Sequence, residues 1–336
     1  MIVGQAKLVG QAKLVGQERA VDQFASAWAT RRLHHAWLLA GARGVGKASF
    51  ARAAATRVLA DAAGPSIDLP GLETPAEHRI AKLLGARSHP DFRWLERLER
   101  PPPTGGLARN INVGQVRDLN QFLSLTPAMS AWRVVVIDTA DELEKEAANA
   151  LLKMLEEPPP NSIFFLVSHA PGRLLPTIRS RCRRLDFAAV PDDAMTSLLS
   201  GWFPERNAAA IAELVDAAEG SPGRAQAVAS LDLAPLKAEA LAIMRDGDAD
   251  NLRRSKLATA LGGKTAAERY AAFLQLVPGL IAREALSLGG EARGRALDAY
   301  AAARETTALA PRLSLDPAAT MFQLGGILAS VAALKR

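Results

Sequence analysis

The sequence predicts an α/β core built on a parallel sheet with helices on both faces, followed by an all-helical remainder. Three observations carry this. Uninterrupted apolar runs alternate with helical periodicity over residues 15–188, the pattern of strand–helix units in a parallel sheet. One run passes through a glycine-rich turn ending in lysine, Gly41 to Lys47, straight into an alanine-rich helix. After Pro191 the strand signals fade and Ala/Leu-rich helical patterns take over.

The elements follow in order. A helical face of Val21, Phe24, Ala27 and Trp28 precedes the apolar run Ala36–Ala40, which reads as a buried strand ended by Gly41. A helix is expected from about Ala48 to Leu59, then a Gly/Pro-rich loop over 61–75, and a short strand over Phe92–Leu95. Pro101 to Gly106 can be neither helix nor central strand and reads as a surface loop. Val116, Leu119 and Leu123 stripe a helix over Val113–Leu125. Val134–Ile137 is a β-branched strand ending in Asp138, and a helix from Glu142 to Glu157 is stopped by Pro158-Pro159-Pro160. Ile163–Val167 and Arg184–Phe187 complete the strands. Residues 192–230 read as a small helical unit, and from about Leu236 helices continue with breaks near Gly262-Gly263 and Gly289-Gly290.

Composition sets the bounds. A chain of 336 residues is too long for one ordinary core, and 49% hydrophobic residues exclude a disordered chain. The net charge of +6 suits work near a polyanion, and equally suits an Arg-rich protein with no such role. Cys182 is the single cysteine, so no intrachain disulfide forms and a reducing compartment is expected. There is no secretory signal pattern and no apolar run of the ~20 residues a membrane helix needs, which leads to the expectation of a cytoplasmic protein without a membrane partner. The N-terminus repeats: Val3–Leu8 recurs as Val9–Leu14, and Val15-Gly16-Gln17 opens a third copy. Only the third leads into a helix, so residues 1–14 read as a duplication or a misplaced start.

The chemistry-bearing motif is the loop Gly41-Ala42-Arg43-Gly44-Val45-Gly46-Lys47. Strand, loop and helix are the context of a P-loop, whose glycines let backbone N–H groups wrap phosphates while the lysine reaches their outer oxygens. The bland alternative is a glycine-rich turn with a chance lysine. A P-loop places Ser or Thr after the lysine to hold Mg²⁺. Here Ala48 offers no oxygen, and Ser49, one residue on, points about 100° away around a helix. Asp138 stands where the metal-binding carboxylate of such a site belongs, but Thr139 follows it instead of a base, and Asp141 and Glu142 would point elsewhere. Metal ligand and base are thus both missing. The five histidines have no ligand-like spacing; His34 and His35 read as packing or capping residues, and Cys182 as a small buried filler.

Leu33–Leu39, the Gly41–Lys47 loop, the block Ala148–Pro159 and Ile178-Arg179-Ser180-Arg181-Cys182 together resemble the clamp-loader AAA+ family, and within it the delta-prime branch of bacterial DNA polymerase III. The resemblance covers 15–188 well and the helical remainder loosely. It implies a RecA-like core over 15–188, a helical lid over 189–235 and a helical collar over 236–336. It implies a hetero-oligomeric ring with delta and gamma/tau subunits that loads the sliding clamp on primed DNA. In that ring this branch is a stator that does not hydrolyse ATP. Arg181, flanked by Ser180 and Cys182, would be an arginine finger acting in trans on a neighbour's ATP. Gly41, Gly44, Gly46, Lys47 and Asp138 would form a degenerate nucleotide site that requires no cofactor, with unhydrolysed ATP or phosphate as its conceivable ligand. Ser168 falls near the family's sensor-1 position.

The chain departs from the family pattern in three places. Gly223 stands where motor subunits carry the lid arginine, with Arg224 one place late. Residues 60–100 lack the cysteines of a zinc module, so no zinc is expected. The N-terminal repeat is foreign to the pattern. The competing expectation is an active gamma/tau-like ATPase in which Ser49 and Asp141 or Glu142 substitute for the missing groups. A P-loop enzyme unrelated to replication is a third. The basic cluster Arg179, Arg181, Arg183 and Arg184 fits phosphates or a subunit interface.

Overall fold

The computed structural model describes residues 14–101 and 106–332. The hexapeptide copies before Leu14 and most of the proline-rich segment 101–106 lie outside the described residues. The chain divides into two compact units, Met1–Leu198 and Leu199–Arg336.

The first unit runs α1 (Glu18–Ala29), β1 (Ala36–Gly41), α2 (Lys47–Ala63), α3 (Arg79–Gly85), β2 (Phe92–Leu95), α4 (Val113–Ser124), β3 (Arg133–Asp138), α5 (Lys145–Glu156), β4 (Ser162–Ser168), α6 (Pro176–Ser180) and β5 (Arg183–Phe187). α7 (Asp192–Trp202) crosses the division. The strands form one parallel sheet in the order β2-β3-β4-β1-β5. Every residue of β4 is buried, as a central parallel strand covered on both faces requires. The period of two sends Trp37 and Leu39 to the layer containing α1 and α2, and Ala36 and Leu38 to the layer containing α4 and α5. The predicted α/β core with helices on both faces is the one observed.

Phe24 anchors the first layer. Its ring meets Trp37, Phe165 and Phe50 at centroid distances of 5.1, 5.3 and 5.9 Å. Truncation to alanine there would cost about 3–5 kcal/mol. The helical stripes of α1 and α4 bury Phe24 and Ala27, and Val116, Leu119 and Leu123, as expected.

Three features depart from expectation. The helix after the glycine loop continues to Ala63, so 61–63 are helical. α3 was not anticipated; it is short and is capped by His78, whose Nδ1 accepts from the Ile80 N–H at 3.2 Å. The helix expected from Glu142 begins at Lys145, because Ala140–Glu142 forms a 3-10 turn and Leu143 is extended. There the Ile111 N–H donates to Glu142 O at 2.8 Å and the Glu144 N–H to Ile111 O at 3.0 Å, a tertiary bridge that displaces helical pairing.

The second unit holds α8 (Ala208–Ala218), α9 (Pro222–Ser230), α10 (Ala234–Asp246), α11 (Leu252–Leu261), α12 (Ala267–Ser287), α13 (Gly290–Leu313) and α14 (Pro317–Ala329). The breaks expected near Gly262-Gly263 and Gly289-Gly290 separate α11 from α12 and α12 from α13. Asp248 caps α11 from a buried position, accepting from the Arg253 and Arg254 N–H groups and from Arg254 Nε at 3.0, 3.1 and 2.8 Å. No helix among the described residues is long and apolar enough to cross a membrane.

Candidate functional site

The glycine loop leaves the C-terminal end of β1, where ligand sites of open parallel sheets lie. Gly41 is required by proximity: a Cβ there would stand 2.3 Å from Phe187 O on β5. Gly44 and Gly46 have φ of +79° and +102°, which lets the chain turn directly into α2. The turn aims the N-terminus of α2, with its unpaired N–H groups, at the loop.

Lys47 is 2% exposed. Its ammonium donates to Gly41 O at 2.7 Å and Ala42 O at 2.5 Å, tying the loop to itself. Burial pushes the amine down to about 8, with Asp138 and Asp141 resisting and Arg43 adding to the fall. Ala48 follows in the first turn of α2, and Ser49 is exposed.

Asp138 ends β3 one strand away from β1 across β4. Burial, then Glu96 and Glu142, raise its carboxyl to about 6 against the pull of Arg43 and Lys47. Thr139 beside it is buried. The next carboxylates already have partners. Asp141 accepts from the Ser168 hydroxyl at 2.7 Å and the His169 N–H at 2.5 Å. Glu142 pairs with Arg97 at 2.9 Å and Arg43 at 3.9 Å, while burial raises its carboxyl. His169 is driven down to about 3 by burial and the cations Lys47 and Arg43, so its ring is neutral.

Gly41, Gly44, Gly46, Lys47 and Asp138 are thus brought to one end of the sheet. Arg181 is not with them. β5 begins with Arg183 beside Trp37, at the start of β1, and reaches Gly41 only at Phe187. Arg181, two residues before β5, lies at the opposite end, removed by about 13 Å of strand. Its Nη2 stands 2.7 Å from Glu156 Oε1 and its Nη1 donates to Thr177 O at 3.0 Å. Ser180 donates to the same carbonyl at 3.1 Å, and burial pushes the Cys182 thiol up to about 12. The histidines at that end hold backbone: His34 Nδ1 lies 2.9 Å from Ala36 O and His35 Nε2 lies 3.0 Å from Leu155 O. In the second unit, Ser221 caps α9 by accepting from the Arg224 N–H at 3.2 Å, and the Arg224 guanidinium pairs with Glu219 at 2.6 Å.

Sequence reasoning missed Gln17. Its buried amide donates to Val45 O in the loop at 3.2 Å and to Ala188 O after β5 at 2.8 Å, clamping the two together. The one signal for it was the recurrence of Val-Gly-Gln.

A family model described as DNA polymerase III, delta subunit, matches residues 16–191. The chain is 37% identical over 195 residues to the delta-prime subunit of DNA polymerase III from Pseudomonas aeruginosa, covering 57% of this chain and 55% of that protein. To the Escherichia coli delta-prime subunit it is 32% identical over 207 residues, covering 62% and 58%. To the gamma/tau subunit from Mycobacterium tuberculosis it is 34% identical over 169 residues, covering 50% and 27%. A gamma-subunit-related protein from Thermotoga maritima aligns with 94% of this chain and 98% of its own, with a TM-score of 0.41 and 18% identity. The chain spans about half the length of the curated delta-prime relatives it matches.

Proposed function

Because the chain belongs to the DNA polymerase III delta-subunit family of clamp-loader proteins, we propose that it is the non-catalytic stator of a clamp loader. It joins delta and gamma/tau subunits in a ring that places the sliding clamp on primed DNA, and it supplies Arg181 to a neighbour's ATP. The helices of 189–235 serve as lid and those of 236–336 as collar.

The observation that carries this reading is the position of Arg181. It lies at the far end of the sheet from Lys47, so it cannot reach a phosphate held by its own loop but can meet one brought by another subunit. The loop's own chemistry supports the same reading. Ala48 offers no metal ligand, Thr139 no base, and Asp141 and Glu142 are committed to Ser168, His169, Arg97 and Arg43. Any ligand of the loop is ATP or phosphate left unhydrolysed, and no zinc is needed.

The test is steady-state ATP hydrolysis by a reconstituted loader carrying wild-type chain or Arg181→Ala, with this chain alone as control. The expected result is silence from the chain alone and slower turnover by the mutant assembly. Turnover by the isolated chain would overturn the stator reading in favour of a gamma/tau-like motor.

A further inference from the structure

β5 is an edge strand. Among the described residues it pairs with β1 on one side only, so alternate residues turn their N–H and C=O groups outward. A groove of about 500 Å³ lies between α1 and the start of this strand, lined by Asp22, Gln23, Ser26, Thr30, Arg32 and Arg183. Gln23 also lines an adjoining pocket of about 190 Å³ with Arg19, Arg184 and Asp186. The charge is one-sided. Arg184 is neutralised by Asp186 at 2.6 Å. Among the described residues Arg19, Arg32 and Arg183 have no carboxylate within 4.0 Å, and Asp22 is the one unpaired acid facing them. Arg183 is held in place by stacking over Trp37, 5.1 Å from the ring centroid.

We infer that the free edge of β5 and the outer face of α1 form a docking channel for an extended, acidic segment of a partner protein. Such a segment adds to the sheet as a sixth strand, its backbone meeting the outward N–H and C=O groups and its acidic side chains meeting Arg19, Arg32 and Arg183. A nucleic-acid strand fits less well, because a phosphodiester chain offers acceptors but no regularly spaced donors for the outward carbonyls. The proposal rests on the edge of β5 and its arginines and does not depend on the stator reading.

The test is fluorescence anisotropy of the full chain with a fluorescein-labelled peptide alternating threonine and glutamate, at low salt. Binding is expected, with an affinity at least about tenfold weaker for Arg32→Glu/Arg183→Glu. It should also be at least about tenfold weaker when proline replaces threonine in the peptide and removes its N–H donors. Circular dichroism verifies the fold; if the double variant does not fold, the exposed Arg32→Glu alone must weaken binding several-fold. Four results overturn the proposal: no binding, equal binding of a threonine–lysine peptide, unchanged affinity in the variants, or displacement of the peptide by oligothymidylate. The first would leave the arginines as charges that merely blunt an edge.

Discussion

The Arg181 guanidinium sits 2.7 Å from the Glu156 carboxylate, joining the last turn of α5 to the end of α6. The side chains are 34% and 47% exposed, so water screens the pair, and its worth to the fold is about 0–1 kcal/mol. Arg181→Ala and Glu156→Gln should therefore unfold in urea within about 1 kcal/mol of wild type. An arginine worth so little to its own fold is available for the role proposed above. A loss of about 3 kcal/mol or more, the mark of a broken buried pair, would make Arg181 a structural residue instead.

Asp138 lends the stability of this fold a pH dependence with a definite sign. Its folded value of about 6 lies above the unfolded value of about 3.9, so the folded chain holds the proton more tightly. The group costs nothing below about pH 4, its penalty grows between about 4 and 6, and the penalty is complete above that window. Asp138→Asn removes the buried charge. At neutral pH it should stabilise the chain by about 1–2 kcal/mol, and near pH 4 the gain should vanish. Thermal melts at the two pH values decide it. An equal effect at both, or destabilisation at neutral pH, excludes the buried charge as the cause.

The strands were readable because Ala36–Ala40, Val134–Ile137 and Ile163–Val167 are apolar without interruption, which in a parallel sheet means burial on both faces. The glycine loop was readable because its backbone demands are local. What escaped was set by distant partners. Glu142 reads as the start of a helix, yet Ile111, far along the chain, captures its carbonyl and the helix begins at Lys145. α3 has fewer than two turns and a histidine cap, too little periodicity to register. That Arg181 and Lys47 occupy opposite ends of the sheet follows from the β1–β5 register, which no local pattern encodes.

Gln17 gives a test internal to the sequence, because Gln5 and Gln11 occupy the same place in the other copies of the repeat. Among the described residues Gln17 donates to Val45 O and Ala188 O. Gln17→Ala leaves these carbonyls short of a donor and should cost about 1–3 kcal/mol, most of it from the loss around the loop. Gln5→Ala and Gln11→Ala should leave the urea midpoint where it is. If all three substitutions behave alike, the clamp between the loop and the end of β5 does not contribute to stability.

Repairing one half of the site proposed above to be degenerate separates binding from turnover. Ala48→Thr puts a hydroxyl at the position after Lys47, at the N-terminus of α2. Ala48 is only partly buried, so the larger side chain can be accommodated. With a metal ligand restored, Mg²⁺ should strengthen ATP binding by about three- to tenfold relative to wild type, read by titration of the isolated chain with and without the metal. Hydrolysis should stay at background, because Thr139 is still no base and Asp141 remains held by Ser168 and His169. Turnover in this single variant would mean that Asp141 or Glu142 can leave its partners to activate water. The inactivity proposed for the wild-type site would then rest on Ala48 alone.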